Sequence, residues 1–297
     1  MGKSPKENMI ATRSLEGEIF AGGVFAAANH VADFCQEVEI LTVLGNDDSR
    51  EDFVRQCLKP NVTLSALYRD GVPTTRKCRF IDESYMHKLF EVYYFDDTPP
   101  DAELEDQITR AIADKAGDYD LVIVHDFGHG MMTAPSIAAL TENAKFMAVN
   151  TQTNSANLGY NLITKYQKAD FVCIDAPEAQ LAAGDRFSDI EAVVSERLSK
   201  RIDCGKFIIT HGQQGCVTFE DSTGAIRIPA FTQTVVDTVG AGDAFLAVSA
   251  PLAAAGTPME LVGFVGNAAG AMKVSIVGHR RAVEKIPLMR YITTLLK

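Results

Sequence analysis

Apolar residues in this chain follow two rhythms. Short unbroken runs at 38–44, 121–124, 146–149, 171–174 and 206–210 read as strands. Apolar runs without alternation suit strands covered on both faces. Between them, amphipathic stretches predict helices near 48–58, 101–116, 134–143, 177–184 and 189–201. Strands alternating with helices predict an α/β fold, a mostly parallel sheet between two layers of helices. One segment breaks the rhythm. Residues 74–81 and 87–95 read as two strands joined by a polar loop, hence an antiparallel hairpin, which suits either a lid over a site or an edge of the sheet. A second hairpin, 216–220 with 225–228, turns at Asp221-Ser222-Thr223-Gly224. Helices near 241–255, 258–274 and 282–296 close the chain. No repeat or linker divides it, so residues 1–297 are expected to form one domain.

Composition narrows the partners. With 46% hydrophobic and 23% charged residues, the chain is neither disordered nor collagen-like. Twenty-eight Lys and Arg against 39 Asp and Glu leave a net charge of −11, a poor surface for nucleic acid. A small anionic ligand needs only one local positive site. The six cysteines form no C-x-x-C pair and sit mostly in apolar stretches, as buried small residues of a reducing compartment do. The first residues carry charge with no apolar core behind them, unlike a signal peptide. The longest apolar run, 244–255, contains Ser249 and Pro251 and falls short of the roughly 20 residues of a membrane span. A cytoplasmic protein with no membrane partner is expected.

The chemistry concentrates at Asp237-Thr238-Val239-Gly240-Ala241-Gly242-Asp243, where a strand-like run meets a glycine turn and an apolar helix begins. A helix start presents unpaired N–H groups and the positive end of its dipole, and glycines let a phosphate approach them. Asp243, in the first turn, could take a proton from an attacking hydroxyl while those N–H groups hold negative charge. A glycine-rich turn with Asp243 serving only as a dipole partner fits the same residues.

This stretch resembles the C-terminal signature of the ribokinase-like (PfkB-type) carbohydrate kinases. The resemblance implies a ribokinase-like three-layer sandwich with a small β-hairpin lid, and transfer of a phosphoryl group from ATP with Mg²⁺ to a sugar or sugar phosphate. It gives Asp243 the part of catalytic base and the Gly240, Ala241 and Gly242 backbone that of anion hole. Thr210-His211-Gly212-Gln213-Gln214-Gly215 is similar to the family's T-x-G-x-x-G turn, so Thr210, Gly212 and Gly215, with Asp237, Thr238, Asn267 and Gly278, are candidate nucleotide-site residues. Asp175 and Glu178 stand where the family has N-x-x-E, tied to magnesium, although Asp175 could equally cap the helix before Pro177. In Asn267-Ala268-Ala269-Gly270-Ala271 the small residues suit either a flat base or a tight helix pair.

The N-terminal half resembles the bacterial heptose-phosphate kinase branch. Gly22-Gly23 looks like the substrate-binding turn, Thr74-Thr75-Arg76-Lys77-Cys78-Arg79 like the lid strand, and Asp126-Phe127-Gly128-His129-Gly130 like the sugar loop. Substrate-side candidates are therefore Gly22, Gly23, Asn29, Lys77, Arg79 and Asp126, with lid segments at about 4–20 and 68–95. Alternation places Lys77 and Arg79 on one strand face, where they could meet an acidic group of the substrate or simply face solvent. The chain departs from the pattern at Ala26, at Asn150-Thr151-Gln152 and at His129, and it opens at Ser4-Pro5-Lys6-Glu7, a segment that usually follows a first strand. That strand is expected to be missing. Two further readings stay open: a nucleotide-binding or assembly module of a larger nucleotidyltransferase–kinase protein, and a kinase for a nucleoside or other non-sugar acceptor. Lids of the family commonly pair between subunits, which implies a homodimer.

Overall fold

The structure, a computed structural model, describes residues 2–3, 10–11, 15–82, 87–231 and 235–297. The expected first lid segment falls largely on residues 4–9 and 12–14, outside the described residues. Two short strands, β1 (Gly2–Lys3) and β2 (Ile10–Ala11), pair antiparallel. Then come α1 (Val24–Val31), β3 (Val38–Gly45), α2 (Glu51–Cys57) and β4 (Val62–Arg69). The expected hairpin is β5 (Arg76–Asp82) with β6 (His87–Tyr94), antiparallel and bulged between Phe80 and Ile81. Helix α3 (Ala102–Lys115) is capped by Asp101, whose side chain accepts from the Leu104 N–H.

The body of the protein is a six-stranded sheet. Strands β7 (Val122–Asp126), β8 (Met147–Thr151), β9 (Phe171–Asp175) and β10 (Lys206–Thr210) run parallel, joined in part by α4 (Ala134–Asn143), α5 (Ala176–Ala183) and α6 (Ile190–Ala192). Strands β11 (Cys216–Glu220) and β12 (Gly224–Ile228) extend one side antiparallel. Three helices close the fold: α7 (Ala241–Ala254), α8 (Met259–Lys273) and α9 (Lys285–Leu295). The unbroken apolar runs are explained by cover on both faces. Val149, Val172 and Phe207 pack with Ile108 and Leu140 on one side. Ala148, Phe171 and Ile208 pack with Phe245, Leu246 and Val262 on the other.

Strand β4 is absent from the sequence reading, because its side chains mix polar and apolar on a half-buried strand. It pairs parallel with β3, and among the described residues this pair joins no other strand. Leu41, Val43 and Leu67 nevertheless rest on the same apolar cluster as β7. Glu39, near the start of β3, accepts from Lys115 Nζ (2.6 Å) and from the Tyr119 hydroxyl, and both donors lie just before β7. At the other end, Arg69 reaches Thr98, whose carbonyl lies against Gly130 just after β7. Strands β3 and β7 therefore point the same way with neither edge paired to the other. Both strands line an open cleft of about 2360 Å³, which the β5–β6 hairpin, Gly22, Gly23 and Asp243 line as well.

The turn from β10 to β11 is tight. Gly215 has φ +88°, and a Cβ there would lie 2.0 Å from the Ile228 carbonyl oxygen. Strain at such a backbone angle and overpacking each cost about 1–3 kcal/mol. Gly215→Ala is expected to lose about 2–4 kcal/mol, read as a lower midpoint in urea unfolding.

Candidate active site

The carboxyl ends of β7 to β10 form one row, as ligand sites of parallel sheets do. Asp126 lies beside Thr151, and Asp175 beside Thr210. The start of α7 supplies the central feature. Gly240 caps the helix at φ +73°, and a Cβ there would meet the His279 ring at 2.7 Å. The Ala241 N–H donates to the Thr238 carbonyl (3.2 Å), closing the turn. The N–H groups of Gly240 and Gly242 find no acceptor among the described residues, and the space where a Gly242 Cβ would sit is open. Two free amides at the positive end of a helix dipole make an anion cradle.

Asp243 lies in this first turn and is 8% exposed. Its nearest titratable neighbour is His125, with Nδ1 3.7 Å from Oδ1. That imidazole is fully enclosed, and burial drives its pKa down to about 4, so it is neutral near pH 7. Among the described residues, Asp243 is therefore a buried carboxylate without a charged ion-pair partner. Burial pushes its pKa up to about 6, opposed by the positive charges of Lys273 and Lys77. Perturbation by burial inside a cleft makes it a candidate functional carboxyl group.

The loop before α7 is tied down from three directions. Asp237 accepts from the N–H groups of Gly278 (2.8 Å) and Val239 (3.1 Å) and from Lys88 Nζ (3.2 Å). Burial works against its charge, but these donors outweigh it and its pKa is lowered. Because Lys88 is on β6, this contact fastens the hairpin to the loop before α7. Lys77, on the partner strand, lines the same cavity. Burial, with help from Arg79, lowers its pKa, while the negative charges of Glu91 and Asp243 oppose. Gly22 and Gly23 also line this space, against His279 and Phe127.

Comparison with known proteins places this geometry. Residues 12–286 match the pfkB family carbohydrate kinase. The chain belongs to that family. A curated relative, the bifunctional protein HldE of Bradyrhizobium diazoefficiens, is 26% identical over 279 residues, which is 93% of this chain and 55% of the relative. HldE of Pelobacter propionicus is 24% identical over 93% of this chain and 56% of its own length. The chain thus spans just over half the length of these relatives. Among solved structures, phosphofructokinase-2 of Escherichia coli in complex with potassium aligns with TM-score 0.74 at 13% identity, covering 93% of this chain and 87% of the other. Ribokinase of Thermotoga maritima aligns with TM-score 0.74 at 16% identity, covering 98% and 93%. These two establish a ribokinase-like fold.

Several residues singled out from the family pattern have other duties here. Asp126 is 3% exposed and both its oxygens are filled. Oδ2 accepts from the Tyr166 hydroxyl (2.8 Å) and faces Lys165 (2.5 Å), and Oδ1 accepts from Gly128 N–H and Asn161. It anchors the Phe127–Gly130 turn and has no free oxygen for a substrate hydroxyl. Asn29 holds the Lys59 N–H and the Cys57 carbonyl (both 2.9 Å), tying α1 to the loop after α2, so it too is unavailable. Arg79 pairs with Glu91 across the hairpin (2.5 Å).

The magnesium candidates form a reciprocal capping box at the start of α5. Glu178 accepts from Asp175 N–H (2.9 Å) and Thr153 N–H (2.8 Å), which occupies both its oxygens. Burial, followed by the Asp175 charge, raises its pKa to about 7. Asp175 spends Oδ1 on the Glu178 N–H and is exposed. Asp175 keeps one oxygen without a hydrogen bond, suited to the hydration shell of a hard cation, while each Glu178 oxygen already accepts one main-chain N–H. Among the described residues no cluster of three or more metal-binding side chains occurs.

On the nucleotide side, Asn267 donates to the carbonyls of Ile228 and Pro229, and Gly266 faces the Phe245 ring, so the small residues of α8 serve close helix packing. Thr210 ends β10, and Gly212 leaves its turn open. Thr238 is exposed beside the cradle, and Gly278 adopts φ +50°. Lys88, Lys165 and Lys273 were missed by the sequence reading; a lysine at the end of an otherwise apolar helix was the one available signal for Lys273.

A raised carboxyl pKa binds a proton more tightly in the folded state. Its stabilising contribution is present at acid pH and is lost as pH climbs through about 6. Asp243→Asn removes this cost. The variant is expected to be more stable than the wild type at pH 8 by roughly 2–3 kcal/mol, with the gap closing by pH 4, measured by thermal unfolding across pH.

Proposed function

We propose that this chain transfers the γ-phosphoryl group of ATP to a hydroxyl of a sugar phosphate of the heptose-phosphate type. One observation carries the reading: among the described residues, a buried Asp243 with no charged partner stands beside free amides at a helix start. The acceptor oxygen bonds to the γ-phosphorus as the bridge to the β-phosphate breaks, and ADP leaves. Asp243 takes the hydroxyl proton as that bond forms. The Gly240 and Gly242 amides hold the charge spread over the phosphoryl oxygens, and positioning with electrostatics does most of the work. Mg²⁺, where its water shell meets Asp175, would neutralise phosphate charge. Lys77 lines the cleft, which supports a contact with the acceptor's own phosphate, and the hairpin would act as a lid excluding water. Unpaired cysteines and a requirement for ATP suit the cytoplasm, and among the described residues no helix is long and apolar enough to cross a membrane. The stacked, half-exposed Phe80 and Phe90 on the lid suit burial against a second copy, which we propose as a homodimer.

A second reading is favoured by the open gap between β3 and β7. In it the chain is a nucleotide-binding module of a larger nucleotidyltransferase–kinase protein, and its acceptor side is completed by a further extended segment lying in that gap. Calorimetric binding of ATP without turnover on any acceptor supports this alternative.

Turnover on a panel of sugar phosphates, free sugars and nucleosides tests the first reading. The highest kcat/KM is expected for a heptose phosphate, and Asp243→Ala is expected to cut kcat by about 10² or more. A base with a pKa of about 6 also predicts kcat/KM rising with pH to a plateau above 7. Near-wild-type turnover by Asp243→Ala would sink the assignment.

A further inference from the structure

Lys273 is 0% exposed, the deepest buried charged side chain among the described residues. It ends α8 and has no carboxylate within ion-pair distance among those residues. Its ammonium group instead donates to three main-chain carbonyls: Val239 (2.7 Å), Gly278 (2.8 Å) and, more weakly, Ile276 (3.5 Å). An ammonium group has three protons and no acceptor, so this cage satisfies it fully. The three oxygens come from the two walls of the cradle. Val239 directly precedes Gly240, and Ile276 and Gly278 belong to the loop after α8, whose Gly278 N–H holds Asp237. Lys273 Cε lies 3.4 Å from where a Gly240 Cβ would be. Asp237 and Asp243 sense its charge without touching it.

Uncharged carbonyl oxygens converging on one buried positive charge form a donor set equally suited to an alkali-metal ion. We propose that Lys273 is a built-in monovalent cation: a positioning residue that clamps the two walls of the anion cradle, fixes the direction of its amides and makes the reaction independent of dissolved alkali ions. A compact ammonium on a flexible stem can fill such a cage, whereas a planar guanidinium cannot. Cutting the side chain short should turn the same carbonyls into a site for K⁺ or NH₄⁺.

The rate part of this inference rests on the proposed phosphoryl transfer, but the cage can be tested without turnover. Lys273→Ala leaves the carbonyls facing an open space, whereas Lys273→Met fills it with an uncharged chain. Thermal unfolding is measured in KCl, NH₄Cl and tetramethylammonium chloride at equal ionic strength. The wild type is expected to unfold at one temperature in all three salts. Lys273→Ala is expected to unfold several degrees lower in tetramethylammonium, with most of the loss restored by K⁺ or NH₄⁺. Lys273→Met should be insensitive to the choice of cation. Where turnover is measurable, wild-type kcat should be equal in the three salts. Lys273→Ala should lose at least tenfold in kcat with little change in the KM for ATP, and regain most of it in K⁺ or NH₄⁺. A wild-type rate or stability that needs K⁺ overturns the proposal, as does a folded Lys273→Ala that no small cation restores. If Lys273→Ala does not fold in any salt, cation-dependent wild-type stability remains the deciding measurement. Cation rescue of stability with no turnover in any protein would uphold the cage and count against the kinase reading alone.

Discussion

A carboxylate kept in the interior without a partner is expensive, and the architecture around Asp243 exists under that constraint. Positive charge reaches it from Lys273 and Lys77, yet neither forms a hydrogen bond with it. Pairing would have lowered its energy and also blunted it as a base, because an ion-paired aspartate holds its charge at far lower pH. The protein instead stabilises the neighbourhood. The α7 dipole, the ammonium beneath the loop and the lid lysine on Asp237 all act on the surroundings and leave the carboxyl group itself unengaged.

The two sides of the cleft are built differently. The cradle rests on the six-stranded sheet and on α7 and α8, which share one apolar core. Facing the same cleft are the β5–β6 hairpin, the turn before α1 and the loop after β7.

Legibility in the sequence followed the range of the interactions. The parallel strands were visible because burial on both faces leaves an unbroken apolar run, as in Phe171-Val172-Cys173-Ile174. The anion cradle was visible because it is a contiguous peptide whose glycines and aspartate act within one helical turn. Asp126 and Asn29 misled because their partners, Tyr166 and Lys59, lie thirty or forty positions away, and no local pattern tells a free side chain from an engaged one. Lys273 was hidden for the same reason, its cage being made of main chain that has no signature. At Asp175 and Glu178 a short motif carried two meanings, and the capping geometry occupies most of the oxygens that a metal would want.

Among the described residues, strands β3 and β4 form sheet hydrogen bonds only with each other. Their attachment to the rest is by apolar contact and by the Glu39 and Arg69 clasps at either end. Hydrogen exchange should therefore divide the molecule into a slowly exchanging slab and a corner that opens at much lower free energy. That corner also lines the cleft. A cleft wall that sits in a loosely coupled unit can change in sequence while the slab stays rigid, an arrangement that favours evolutionary divergence.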